Sequence, residues 1–191
     1  MSSYIFVSPG SDPGAGRVLV DPILTAAKPT MGTCRPDLRR MVRPGDHIFV
    51  VSGSLGRSYR QYVIGGMEID EKLEDQLEAL RAYPENALTF EGGRRKGNII
   101  AMADGVQNPR DNHTNFATRI KNYIVGKNPI MLETEREVEI GRERSLEILS
   151  DLFDRRGSRM QHVIGRNRRL SDEQVERLRR ALEEIKQEAR S

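Results

Sequence analysis

Residues 4–7 are aromatic and β-branched and stop at Ser8-Pro9-Gly10, a pattern that predicts a first strand followed by a turn-rich loop through Gly16. Asp21 before Pro22 matches a capping residue followed by proline at the first helical position, so a short helix is expected over 22–28, ended by Pro29. Residues 48–51 form an unbroken apolar run bounded by turn residues. With 59–69 they read as an antiparallel pair joined by the polar loop 52–58. Gly65-Gly66 falls inside the second strand, where missing side chains imply a bulge, a barrel corner or the close approach of another group. Leu73, Leu77 and Leu80 then fall at helical spacing and predict a helix over 71–82, stopped by Pro84.

Regularity fades over 85–114, where only a short strand at 98–102 is expected between two polar, glycine- and asparagine-rich loops; loops of that length in a compact domain often carry function. A strand at 129–133 and a helix at 145–153, with Leu146, Leu149, Leu152 and Phe153 on one side, complete the expected core. Beyond Gly157 the chain becomes arginine-rich. A last helix opens at Ser171-Asp172-Glu173-Gln174, a capping-box pattern, with Val175, Leu178, Leu182 and Ile185 on one stripe. The expectation is an α+β fold: a curved, mostly antiparallel sheet or partly closed barrel with flanking helices and a C-terminal helical extension. Residues 1–157 would form the domain, and 158–191 a basic linker and amphipathic helix.

The 191 residues suffice for one well-formed core, and 5% aromatic content with no tryptophan makes it a lean one. The mean hydropathy of -0.60 is that of a polar chain. A net charge of +3 is small, so the position of the arginines matters more than their excess. The single cysteine, Cys34, excludes an internal disulfide, and with three scattered histidines it gives no zinc-like spacing, so neither a metal nor a cofactor is expected. The first residues lack the form of a secretory signal and no window has the length of a membrane span, which together predict a cytoplasmic protein without membrane contact.

Candidate chemistry centres on Arg35, Arg39, Arg40 and Arg43, whose forked donors suit phosphate and precede the 48–51 strand; paired surface arginines would look the same. Ser52 and Ser54 leave that strand with backbone N–H groups and hydroxyls to offer a ligand. Arg94 and Arg95, in the run Gly92-Gly93-Arg94-Arg95-Lys96-Gly97, suit a nucleic-acid backbone but lack the spacing of a triphosphate loop. Asn112 and His113, flanked by Asp111 and Asn115, suit the edge of a base or sugar. Candidate acid–base groups are Asp46, His47 and His113, although neighbouring strand residues such as Asp46 and His47 point to opposite faces. Cys34 reads as buried rather than nucleophilic.

The run Thr33-Cys34-Arg35-Pro36-Asp37-Leu38-Arg39-Arg40, then Gly45-Asp46, an apolar strand, Ser52-Gly53-Ser54 and a second strand at 62–69, resembles the second family of nucleotide-modification-associated domains of phages and bacteria. Gly97-Asn98-Ile99, Asn112-His113, residues 129–132 and Ser150-Asp151-Leu152-Phe153 follow in that family's order, so the likeness spans roughly 3–157. A Gly-Asp turn entering a strand of a bent sheet is also similar, at the level of fold, to the PUA-like base-binding domains associated with pseudouridine synthases. The resemblance implies a role near modified nucleotides. Three functions follow: binding of a modified or extruded nucleotide or nucleic-acid segment; an enzyme that modifies or hydrolyses a nucleotide or base; or an interaction protein that forms homo-oligomers through its last helix.

Overall fold

The computed structural model describes residues 2–191 and is an α+β structure with a mixed six-stranded sheet, order β2-β7-β4-β3-β1-β8, and a separate two-stranded hairpin, β5-β6. The strands are β1 (Ser3–Val7), β2 (Thr30–Met31), β3 (His47–Val51), β4 (Val63–Asp75), β5 (Thr89–Glu91), β6 (Arg94–Lys96), β7 (Lys121–Met131) and β8 (Asn167–Leu170). The helices are α1 (Pro36–Met41), α2 (Gln76–Ala82), α3 (Phe116–Arg119), α4 (Glu135–Leu152), α5 (Met160–Ile164) and α6 (Asp172–Arg190). Only β1 and β3 run parallel, with Tyr4 opposite Ile48 and Val7 opposite Val51; every other pair is antiparallel. The sheet order ends in β2 on one side and β8 on the other, without a pairing that joins those edges.

Both faces of the centre are covered. Ile48, Phe49, Val50 and Val51 point alternately to opposite sides of β3, yet all are fully buried. Gly65 and Gly66 are required by close packing: a Cβ on Gly65 would strike the carbonyl oxygen of Ile130, and one on Gly66 the ring of Phe49. The β4–β7 register shifts between Gly66 and Glu68 and again between Ile69 and Glu71. The second shift resets the inward–outward alternation, so Leu73 is buried as a strand residue in a small cluster with Ala79, Ile99, Tyr123 and Val125. β4 therefore continues to Asp75, and the helix expected from residue 71 starts at Gln76, where the Asp75 carboxylate accepts from Leu77 N and Glu78 N.

Three further expectations are corrected. Residues 22–28 are not helical: the Asp21 carboxylate accepts from Gly32 N and Thr33 N instead of capping a helix, and Ile23 pairs with Thr30 to close the loop. Residues 98–102 form isolated bridges rather than a strand, and regular pairing appears instead in the hairpin turning at Gly92-Gly93, both at positive φ. The arginine-rich stretch after Gly157 is not a bare linker, because α5 and β8 lie within it and β8 pairs with β1.

The last helix forms as the capping box predicts, with Ser171 Oγ accepting from Gln174 N and Gln174 answering on Ser171 N. Its stripe of Val175, Leu178, Leu182 and Ile185 is buried in the same core as Ile5, Phe49 and Leu149. The apolar face read as a means of self-association is thus used within the chain. Among the described residues no helix is long and apolar enough to cross a membrane.

Candidate functional site

A polar scaffold holds the long loop 86–114 against the sheet. Asn98 is fully buried; its amide nitrogen donates to Asp21 Oδ1 at 2.9 Å and to Thr30 Oγ1 at 3.1 Å, and its Oδ1 accepts from the Tyr123 hydroxyl at 2.8 Å. Gln76 spans the next step. Its Oε1 accepts from Ile100 N at 2.7 Å and Ala101 N at 3.0 Å, while its Nε2 donates to Gly32 O at 2.7 Å. Every buried side-chain polar atom in the described residues has a partner, as a low-dielectric interior demands.

This scaffold leaves a cleft of about 290 Å³ beside the carboxyl ends of the two parallel strands, lined among others by Ser8, Ser11, Cys34, Arg95, Asn112 and His113. The strand ends are tied together by Ser8 N donating to Val51 O at 2.9 Å and Gly53 N to Ser11 O at 2.7 Å. Ser8 and Ser11 pair through their hydroxyls at 2.9 Å.

Asp111 organises the opposite wall. Its side chain has no exposed surface; Oδ1 lies 2.6 Å from His113 Nδ1 and 3.0 Å from Arg95 Nη1. Oδ2 accepts from Gln107 Nε2 at 2.8 Å and from His113 N at 3.2 Å. Burial opposes ionisation of this carboxyl, but the hydrogen bonds from His113 and Gln107, the His113 charge and the Arg95 bond outweigh it and hold it below the ordinary aspartate value. The imidazole is fixed through Nδ1. Its side chain remains 26% exposed, and Nε2 has no protein partner among the described residues.

The arginine turn behaves differently. Arg39 is fully buried inside α1 and donates to the carbonyl oxygens of Cys34 at 2.9 Å, Asn122 at 2.9 Å, Arg119 at 2.7 Å, Thr33 at 3.3 Å and also Lys121. Burial pulls its guanidinium down to about 10, which leaves it charged at neutral pH. With its donors on main-chain carbonyls it has no fork for a phosphate, which corrects the role expected of it. Arg35 closes on Asp37 at 2.9 and 2.5 Å and lies 5.8 Å from the centre of the Phe6 ring. Arg40 is exposed, and neither it nor Arg35 lines the cleft.

Ser52 is buried as well: its Oγ accepts from Tyr62 N at 3.0 Å, so the hydroxyl serves the strand start rather than a ligand. Ser54 is exposed and lines a separate groove. Asp46 is a buried turn-former, accepting from Ser2 N and Arg43 N, both at 2.7 Å. Next to it, His47 has its pKa lowered by burial, only partly opposed by Glu68, and lines neither the cleft nor that groove. Arg94 is exposed on the hairpin outside the cleft.

The cleft therefore gathers Arg95, Asn112 and His113 from the expected set, and does not gather Arg35, Arg39, Arg40, Ser52 or Ser54. It adds Asp111 as the orienting group, visible in sequence as the carboxylate two residues before His113, and Ser8 and Ser11, which carry no local signal beyond turn chemistry. Cys34 also faces it, but burial and then the Asp21 charge push this thiol up to about 12, so it is not a thiolate nucleophile. No family model matches this chain, and neither curated proteins nor solved structures give a match.

Proposed function

We propose that the protein binds a nucleotide, or a base presented out of its strand, in the cleft at the ends of β1 and β3. The observation that carries this reading is the Asp111 carboxylate holding His113 at 2.6 Å and Arg95 at 3.0 Å on one wall of a small cavity. A volume of about 290 Å³ is at the lower end of small-ligand sites, roughly 300 Å³ upward, and suits one base or nucleoside. His113 Nε2, the Asn112 amide and the Ser8–Ser11 hydroxyls supply donors and acceptors for a base edge, and the Arg95 donors not bonded to Asp111 supply charge for a phosphate. The reading agrees with the resemblance to nucleotide-modification-associated domains. In it, the sheet bends at Gly65-Gly66 toward a partly closed, PUA-like barrel, and the protein works in the cytoplasm.

Titration calorimetry with a panel of unmodified and base-modified mononucleotides tests this. His113→Ala and Arg95→Ala should each weaken the tightest ligand by about tenfold, the worth of one hydrogen bond in a desolvated site. Unchanged affinity in both variants, or no binding across the panel, would sink the proposal.

The same Asp111–His113 pair favours a second reading, an enzyme acting on the bound nucleotide or base. In the neutral tautomer that donates from Nδ1, Nε2 carries the lone pair of a general base, on a residue that lines the cleft. A new mass after incubation with a nucleotide, abolished in His113→Ala, is the expected result of that chemistry. Binding without product leaves the first reading alone.

A further inference from the structure

A larger depression of about 1050 Å³ lies next to the cleft: Ser54 and Gly56 line it, and Gly53 between the two sites donates to Ser11 O on the cleft wall at 2.7 Å. Its floor is α4, which presents Glu143, Leu146 and Glu147 at helical spacing. Its rims are the loop before β4 and the loop before α5, which bring Arg57, Arg60, Arg156 and Arg159. Arg156 pairs with Asp151 at 2.9 Å. Arg57, Arg60 and Arg159 have no carboxylate partner among the described residues, and Glu143 and Glu147 form no salt bridge there.

Tyr59 adds a second kind of surface. It is 47% exposed, and the Arg142 guanidinium sits 5.2 Å from its ring centre. Arg142 is itself held by both oxygens of buried Asp12, at 2.9 and 2.6 Å, so the ring rests on a fixed support.

We infer that this groove takes a single strand of nucleic acid, with phosphates along the arginine rims and unstacked bases over Tyr59 and the α4 floor. Unpaired arginines beside an exposed aromatic ring are the pairing of charge and stacking that single strands use. The floor carboxylates repel phosphate but accept from exocyclic amino groups, as glutamate does from the cytosine amine, so bases bearing such groups are favoured over thymine. The ligand class rests on the nucleotide reading of the cleft, while the residues that bind it are separate. A strand lying here places a neighbouring nucleotide at the cleft.

Fluorescence anisotropy with labelled single-stranded 12-mers of dC and of dT tests the groove. Three phosphates on three arginines give a slope of log affinity against log salt of about -2, so a fourfold rise in salt should weaken binding roughly 20-fold. Arg57→Ala with Arg60→Ala and Arg159→Ala should remove most of that dependence, and Tyr59→Ala should weaken both oligomers about tenfold. Glu143→Ala with Glu147→Ala should abolish the preference for dC without weakening dT. Absence of salt-dependent binding, or binding untouched in the triple arginine variant, overturns the inference, as does a groove that captures an acidic peptide and no oligonucleotide. The triple variant retains mononucleotide binding in the cleft, so loss of one site is distinguishable from loss of the other.

Discussion

Two buried aspartates near the same cleft have opposite settings. Asp21 accepts from the main-chain N–H groups of Gly32, Thr33 and Cys34 and from buried Asn98. Asp111 accepts from one main-chain N–H and from the side chains of His113, Gln107 and Arg95. The donors on Asp21 are fixed by the chain itself, so that carboxylate is a structural pin for residues 30–34 and 98. Two of the donors on Asp111, His113 and Arg95, are side chains with further nitrogens to offer, so that carboxylate orients groups toward a ligand. Arg39 and Arg95 repeat the contrast: one is enclosed by carbonyls, the other is bound on one side and open on the other.

The largest effect should come from removing the pin. Asp21→Ala leaves three main-chain donors and one N–H of the Asn98 amide unpaired in the interior, and should destabilise the fold by about 3–5 kcal/mol in urea unfolding. A change below about 1 kcal/mol would mean that water reaches those groups and that Asp21 is no pin. Asp111→Ala should cost less, about 1–2 kcal/mol, since Arg95 and His113 can turn to solvent. Its effect on ligand affinity should instead be tenfold or more, measured by the same calorimetry as His113→Ala. If the stability ranking reversed, the division between pin and orienting group would fail.

Acid sharpens the same division. The folded pKa of Asp111 lies below its ordinary value of 3.8, so its contribution is complete above that value and is lost as pH falls through the folded pKa. Protection from hydrogen exchange at 107–113, relative to the intrinsic rate at each pH, should therefore be lost below about pH 4 before that of the central strands. Simultaneous opening of loop and sheet would show that this wall is not a separate unit.

Local signals carried much of this architecture. β1 and β3 follow from short apolar runs with turn residues behind them, and α6 from its capping box and stripe, because each is determined within its own segment. The length of β4 was hidden by a bulge, which breaks the simple alternation before Leu73, a residue that also stands at helical spacing from Leu77. The first half of α4 was hidden by its charge, although Thr134 and Glu137 form a capping box that sequence could have revealed. β8 is basic because it lies at a sheet edge, where Arg168 donates to Val163 O and stacks near Phe153 rather than reaching a ligand. For the site, His113 and Arg95 were readable as polar groups in long loops. Burial of Arg39 was not, since only tertiary packing brings the carbonyls of Arg119, Lys121 and Asn122 around α1.

Cys34 offers the finest probe of the boundary between the two carboxylates, because its main-chain N–H is on Asp21 while its side chain faces the cleft. Burial is the main cause of its raised pKa and the Asp21 charge the second; together they exceed the opposing influence of Arg119 and Arg39, taking the thiol from 9.0 to about 12. A group whose folded pKa is raised contributes stability that is fully present below the unfolded value and lost as pH rises through the folded one. The Cys34 contribution should thus be level up to about pH 9 and fall between pH 9 and 12. Cys34→Ser should flatten part of that fall, which a series of urea midpoints across the alkaline range would measure. Because the thiolate is the reactive form, native Cys34 should also be alkylated far more slowly at pH 8 than a free thiol, and Asp111→Ala should leave that rate nearly unchanged. Fast native alkylation would mean that the cleft is wetter at Cys34 than its burial implies, and that the region of Asp21 opens as readily as the wall held by Asp111.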